Sequence, residues 1–117
     1  MSGITYFDLD NLPAPREGSP LPERRVEGDP SFRTWDLACT ADGRVTAGIW
    51  EVTPGAFRSI KGATWEFCSI ISGVSELIED GKPPRRIAAG DSFVMHPGFE
   101  GTWRVLETTT KLWVTKD

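Results

Sequence analysis

From Phe32 onward the chain alternates apolar and polar residues in short runs, each closed by glycine, proline or aspartate. This period of two predicts β-strands rather than helices. The first run, Phe32 to Thr40, is rich in aromatic and β-branched residues and meets the tight-turn signal Ala41-Asp42-Gly43. Arg44 to Thr53 is its return strand, with Trp50 and Val52 on one face and Glu51 and Thr53 on the other, broken at Pro54-Gly55. Thr64 to Ile71 alternates again: Glu66, Cys68 and Ile70 share one face, Phe67, Ser69 and Ile71 the other. Gly73 is read as the end of that strand, and Val74 to Glu79 as the next. Arg85 to Ala89, Ser92 to Met95, Thr102 to Leu106 and Lys111 to Thr115 complete about eight strands, with turn signals at roughly 8–12-residue intervals. Many short strands with no sustained helical period call for a β-sandwich or a closed barrel, and closure removes exposed sheet edges.

Residues 1–30 read differently. They hold Pro13, Pro15, Pro20, Pro22 and Pro30, five of the nine prolines, which fits neither a helix nor a central strand. The reading is an extended N-terminal arm over residues 1–30 and a single domain over 31–117. The arm carries Ile4, Tyr6, Phe7, Leu9 and Leu12, too apolar for a free tail, so it is expected to lie against the barrel or a partner subunit.

Composition narrows the function classes. A chain of 117 residues suits one small domain, which a second copy would help stabilise, and a homodimer is expected. The net charge of -4, with basic residues scattered apart from Arg24-Arg25 and Arg85-Arg86, argues against nucleic acid as a partner. No apolar run approaches a membrane span, and the acidic stretch Met1 to Asp10 does not read as an export signal. Cys39 and Cys68 are therefore expected to be reduced thiols in a cytoplasmic protein.

Two stretches resemble the paired motifs of the cupin superfamily. Gly55, Glu66 and Gly73 occupy the glycine and glutamate positions of the first motif. Gly90 and Gly98 occupy those of the second, with His96-Pro97-Gly98 in place of Pro-x-Gly, and sixteen residues separate the motifs. The resemblance runs from about residue 45 to 117. It is most similar to the small cupins related to ureidoglycine aminohydrolase, through Gly48-Ile49-Trp50-Glu51-Val52-Thr53-Pro54-Gly55, Phe99-Glu100-Gly101-Thr102-Trp103 and Lys111-Leu112-Trp113-Val114. It implies a jelly-roll β-barrel, the double-stranded β-helix. Metal cupins hold their ion with three histidines and one carboxylate. Here the paired-histidine slot falls on Ile60-Lys61-Gly62, or one position to either side, and the third on Gly101, so only the carboxylate Glu66 remains and no metal or other cofactor is expected. His96, the single histidine, sits beside Pro97 at a turn: a rim residue, or part of a shifted site with Glu66 and Cys68.

Other residues offer chemistry. An inward Glu66 is either a general acid or base, an anchor for a ligand amine, or half of an ion pair with Lys111 or Arg58. Lys61, in a former metal-ligand position, would replace the ion's charge by pairing with Glu66, or else be solvated. Cys68 is a nucleophile if a base stands nearby and otherwise a buried apolar thiol. Trp50, Trp65 and Trp103, three of five tryptophans, either fill the barrel or wall a pocket for a small, partly apolar or cationic ligand. The leading expectation is a small-molecule site without metal, for binding or for modest acid–base chemistry at Glu66, with Trp50, Cys68, Trp103, Lys61 and Lys111 around it. The alternatives are a metal-dependent enzyme similar to ureidoglycine aminohydrolase and a non-catalytic interaction module.

Overall fold

A computed structural model of the chain describes residues 3–117. Among the described residues nine strands form one curled antiparallel sheet: β1 (Arg16–Gly18), β2 (Arg25–Glu27), β3 (Phe32–Cys39), β4 (Val45–Val52), β5 (Gly55–Ile60), β6 (Trp65–Glu79), β7 (Arg85–Ala88), β8 (Ser92–Met95) and β9 (Glu100–Lys116). The described residues include no α-helix, only a 3-10 turn at Pro22–Arg24. None of their helices is therefore long and apolar enough to cross a membrane. The jelly-roll expectation holds.

Two long strands make the barrel. β6 and β9 pair along nearly their whole lengths, from Trp65 opposite Lys116 to Glu79 opposite Gly101. On the far side of β9, β4 takes the C-terminal half and β5 the N-terminal half. On the far side of β6, β8 takes residues 66–69 and β7 residues 74–77. One layer is thus β1, β3, β4, β8 and the adjoining halves of β6 and β9; the other is β2, β5, β7 and the remaining halves. The register slips between Ile70 and Ser75, where the ladder bends from one layer to the other.

Gly73 does not end a strand, as its residue type suggested; it lets one strand turn a corner. Its φ is +88°, and a Cβ there would run into the Thr108 carbonyl. For the same reason Thr102 to Leu106 and Lys111 to Thr115 are one strand, β9, rather than two. Beside the corner the Ser75 and Thr109 hydroxyls lie 2.7 Å apart, and Thr109 Oγ1 donates to the Glu107 carbonyl, so these fully buried hydroxyls are satisfied. β5 was not expected, because Pro54-Gly55 reads as a break; the break is a corner of two residues between β4 and β5.

The core is Val52, Phe57, Cys68, Ile70, Ile87, Met95, Trp103 and Val105, with Trp50, Phe32, Leu77, Phe93 and Phe99 packed against it. The alternation read for 66–70 is the alternation observed: Glu66, Cys68 and Ile70 are buried and Phe67, Ser69 and Ile71 less so. The N-terminal residues are less uniform than an extended arm. Two three-residue strands and the 3-10 turn lie among them, β1 on β3 and β2 on β5. The Trp35 indole donates to the Pro13 carbonyl at 2.7 Å, tying the arm to the outer face, while Tyr6 and Leu9 stay exposed.

Candidate functional site

Two strands and the turn after β5 aim one charged cluster into the barrel. The pleat of β6 turns Glu66 inward, 5% exposed, and the pleat of β9 does the same for Lys111, 6% exposed. Lys61 follows the end of β5, where its backbone N–H donates to the Phe99 carbonyl at 3.0 Å. Lys61 Nζ donates to Glu66 Oε1 at 2.5 Å and Lys111 Nζ to Glu66 Oε2 at 2.8 Å. One carboxylate thus bridges two ammoniums. Burial alone would raise the Glu66 carboxyl, but Lys111 and Lys61 outweigh it and hold it down to about 2. Burial likewise works to discharge Lys111, and the Cys68 sulfur and Glu66 carboxylate beside it keep its pKa above the ordinary value.

Aromatic rings wall the cluster. Lys111 stands opposite Trp50 across the β4–β9 ladder, its Nζ 4.4 Å from the Trp50 ring and 4.7 Å from the Trp103 ring. Those two rings meet edge to face at 5.4 Å, and Phe57 stacks on Trp103 at 6.4 Å. The cationic slot of this aromatic box is therefore taken by the protein's own lysine. That corrects the expectation of a cationic ligand: a second cation would meet Lys111 in the same box. Trp103 is 1% exposed, yet its indole N–H finds no acceptor among the described residues.

These groups line a cavity of about 430 Å³ together with Arg24, Arg58 and Trp113. The volume suits a small organic ligand. Arg58 does not reach Glu66; it forms a two-pronged pair with Asp80 at 2.6 and 2.7 Å. Cys68 stands behind the cluster rather than in the cavity wall, its Sγ 3.3 Å from Glu66 Oε2 and 3.6 Å from Lys111 Nζ. Burial pushes its thiol up to about 11. Iodoacetamide at pH 8 is therefore expected to alkylate exposed Cys39 at least about 100-fold faster than Cys68, as mass spectrometry of digests would show. Equal rates would mean that the barrel opens around Cys68. Trp65 takes no part in the cavity, since its parity on β6 is opposite to that of Glu66. Trp113 does, and its parity with Lys111 was the available signal.

The donor set does not fit a transition metal. Lys61 falls within the paired-histidine slot, and its ammonium, paired with Glu66, cannot ligate. A Cβ at Gly101 would sit 2.6 Å from the Ile78 carbonyl oxygen, so that slot is closed by backbone. His96 is exposed beside a second cavity, bordered by Phe93, Met95 and Phe99. Glu66, Cys68 and His96 form no shifted site: no group of three or more His, Cys, Asp or Glu able to hold a metal occurs among the described residues.

A family model for the EutQ-like cupin domain matches residues 39–113. No curated protein gives a significant match. Among solved structures, a protein of unknown function from Pseudomonas syringae pv. tomato superposes with a TM-score of 0.85 at 23% identity, over 98% of this chain and 48% of that one. The EutQ protein of Clostridium difficile gives 0.64 at 21% identity, over 74% and 63%. A predicted oxalate decarboxylase from Thermotoga maritima gives 0.72 at 15% identity, over 97% of both chains. The chain spans only about half to two thirds of the first two proteins. At these identities the likeness concerns the fold alone.

Proposed function

We propose that this chain, which belongs to the EutQ-like cupin domain family, binds a small carboxylic acid in its barrel without a metal ion. The observation that carries the reading is the pairing of a buried indole N–H lacking an acceptor with a cluster of two ammoniums and one carboxylate. An anion balances the surplus positive charge and rests its apolar part on Trp50 and Phe57, and a small rotation of the buried Trp103 ring brings its free N–H to the anion. In place of a metal ion, Lys61 and Lys111 supply the positive charge that holds the anion. Glu66 sets the positions of the two ammoniums. With its carboxyl at about 2 it is a weak base at neutral pH, so its part is charge balance rather than proton transfer. The motif likeness to ureidoglycine aminohydrolase does not extend to metal-assisted release of ammonia, because the donor set is missing.

Trp103→Phe tests the reading. It keeps the aromatic wall and removes the free N–H. Calorimetric titration with benzoate and butyrate is expected to show wild-type binding and about a fivefold or greater loss in the variant, the size of one hydrogen bond to a charged acceptor. The variant's melting temperature should fall only modestly, because the lost indole volume costs stability while the removal of an unsatisfied buried donor offsets part of it. Absence of carboxylate binding to the wild type would sink the reading.

The same proposal includes a homodimer, because Tyr6 and Leu9 remain exposed on the arm. Light scattering at about 50 μM is expected to give twice the chain mass, and a monomer there would exclude a stable dimer.

A further inference from the structure

The cavity is closed on one side by a short strap. β1 ends at Gly18, hydrogen-bonded to β3 in one layer; β2 begins at Arg25, hydrogen-bonded to β5 in the other. Residues 19–24 therefore cross from layer to layer over the mouth of the barrel. Four of them, Ser19, Pro20, Leu21 and Arg24, line the cavity that holds Lys61, Glu66 and Lys111. The strap is stiff: Pro20 is buried, Pro22 opens the 3-10 turn, and the Arg24 N–H donates to the Leu21 carbonyl at 2.8 Å. It also lies outside residues 39–113, the span shared with the family.

Arg24 is the strap's one charged group facing the cavity. Its neighbour Arg25 pairs with Asp29 and the cavity's other arginine, Arg58, with Asp80. Arg24 has no ion pair among the described residues. The cavity wall thus holds four basic side chains, Arg24, Arg58, Lys61 and Lys111, against the single carboxylate Glu66, in a chain whose net charge is -4. One acid group on the ligand answers the lysine cluster and leaves the guanidinium unanswered. A guanidinium presents a planar pair of donors that fits a second carboxylate.

We infer that Arg24 is a specificity-determining residue and that the preferred ligand is a small dicarboxylate, one acid held by Lys61, Lys111 and Trp103 and the other by Arg24 on the strap. This rests on the carboxylate reading of the lysine cluster.

The test titrates the full chain calorimetrically with succinate, glutarate and adipate, and with butyrate, valerate and hexanoate as their single-acid counterparts. In the wild type, one diacid is expected to bind about tenfold or more tightly than its counterpart, the effect of one added charge-assisted contact. Arg24→Met should bring that diacid to the level of the monoacid while changing monoacid affinity by less than about twofold, and Arg24→Lys should recover part of the difference. Equal binding of diacids and monoacids by the wild type overturns this inference and leaves the carboxylate reading standing. Equal weakening of both ligand classes in Arg24→Met overturns it as well. If no carboxylate of either class binds, both readings fall.

Discussion

Glu66→Gln is expected to lower the unfolding free energy by about 3 kcal/mol at neutral pH, the usual result of removing one partner from a buried ion pair. Glutamine keeps the shape and can accept from one ammonium, but it removes the charge that lets Lys61 and Lys111 remain inside the barrel. The two side chains are 18% and 8% exposed, so water cannot take over that role fully. The pH dependence gives an independent measure. The Glu66 carboxyl lies at about 2 in the folded chain against 4.5 for an ordinary glutamate, a difference worth roughly 3 kcal/mol. Because the folded pKa is the depressed one, this stability is complete above pH 4.5 and is lost as the pH falls through about 2. Urea denaturation at pH 7, 4 and 3 should show wild-type stability declining across that window by more than that of Glu66→Gln. Adding Lys111→Met to Glu66→Gln should return about 1–2 kcal/mol, since the more deeply buried of the two stranded ammoniums is then gone. A Glu66→Gln protein within about 0.5 kcal/mol of wild type, with an unaltered acid limb, would show that the cluster is solvated.

Gly48→Ala is expected to be at least as damaging, at about 3 kcal/mol or more, although it adds a single methyl group. Gly48 lies in β4 opposite Asp36, where the β3–β4 register slips between Asp36 and Ala38. A Cβ at Gly48 would overlap the Trp35 carbonyl oxygen and approach the Trp113 ring. The first obstacle is backbone in a paired strand, so it cannot rotate away; β3 and β4 would have to part. The second is a ring of the cavity wall, so ligand affinity should fall along with stability. Gly43→Ala is the contrast: its φ is +73° but nothing lies within 4 Å of the added atom. It should lose only about 1 kcal/mol, from backbone conformation alone. Denaturant midpoints of the two variants decide the matter, and equal losses would mean that the close approach at Gly48 relaxes without penalty.

Much of the fold was legible along the chain. Alternation over 66–71 needs only neighbouring side chains, and it turned Glu66 and Cys68 inward as read. The Asp-Gly turn after Ala41 and the Pro-Gly turn after His96 are likewise local signals. What misled was glycine and proline at corners. A glycine with positive φ ends one strand in one setting and bends a continuous one in another, and only the proximity of Thr108 to Gly73 distinguishes them. Pro54-Gly55 misread β5 in the same way, since the ladder resumes along β9 at Gly55 opposite Val105.

The site divides along the same line. Lys61 and Glu66 are close in sequence across one turn, so their pairing was visible in motif spacing, as was the absence of histidines from the metal slots. Lys111 is 45 residues from Glu66 and meets it only because β9 lies beside β6 in a register that sets Lys111 opposite Ile70. Arg24 joins the same cavity because strands at either end of its strap belong to different layers. The abundance of tryptophan suggested either core filling or a pocket for a small, partly apolar or cationic ligand, and the chain order could not show that Lys111 fills the box itself. Side-chain facing and turn preference are encoded in adjacent residues and their backbone angles, so the sequence by itself determined them. The charge balance of the cavity is a sum over groups from β5, β6, β9 and the strap, and only ladder register and barrel closure, which are settled by packing of the whole chain, decided which charges share that space.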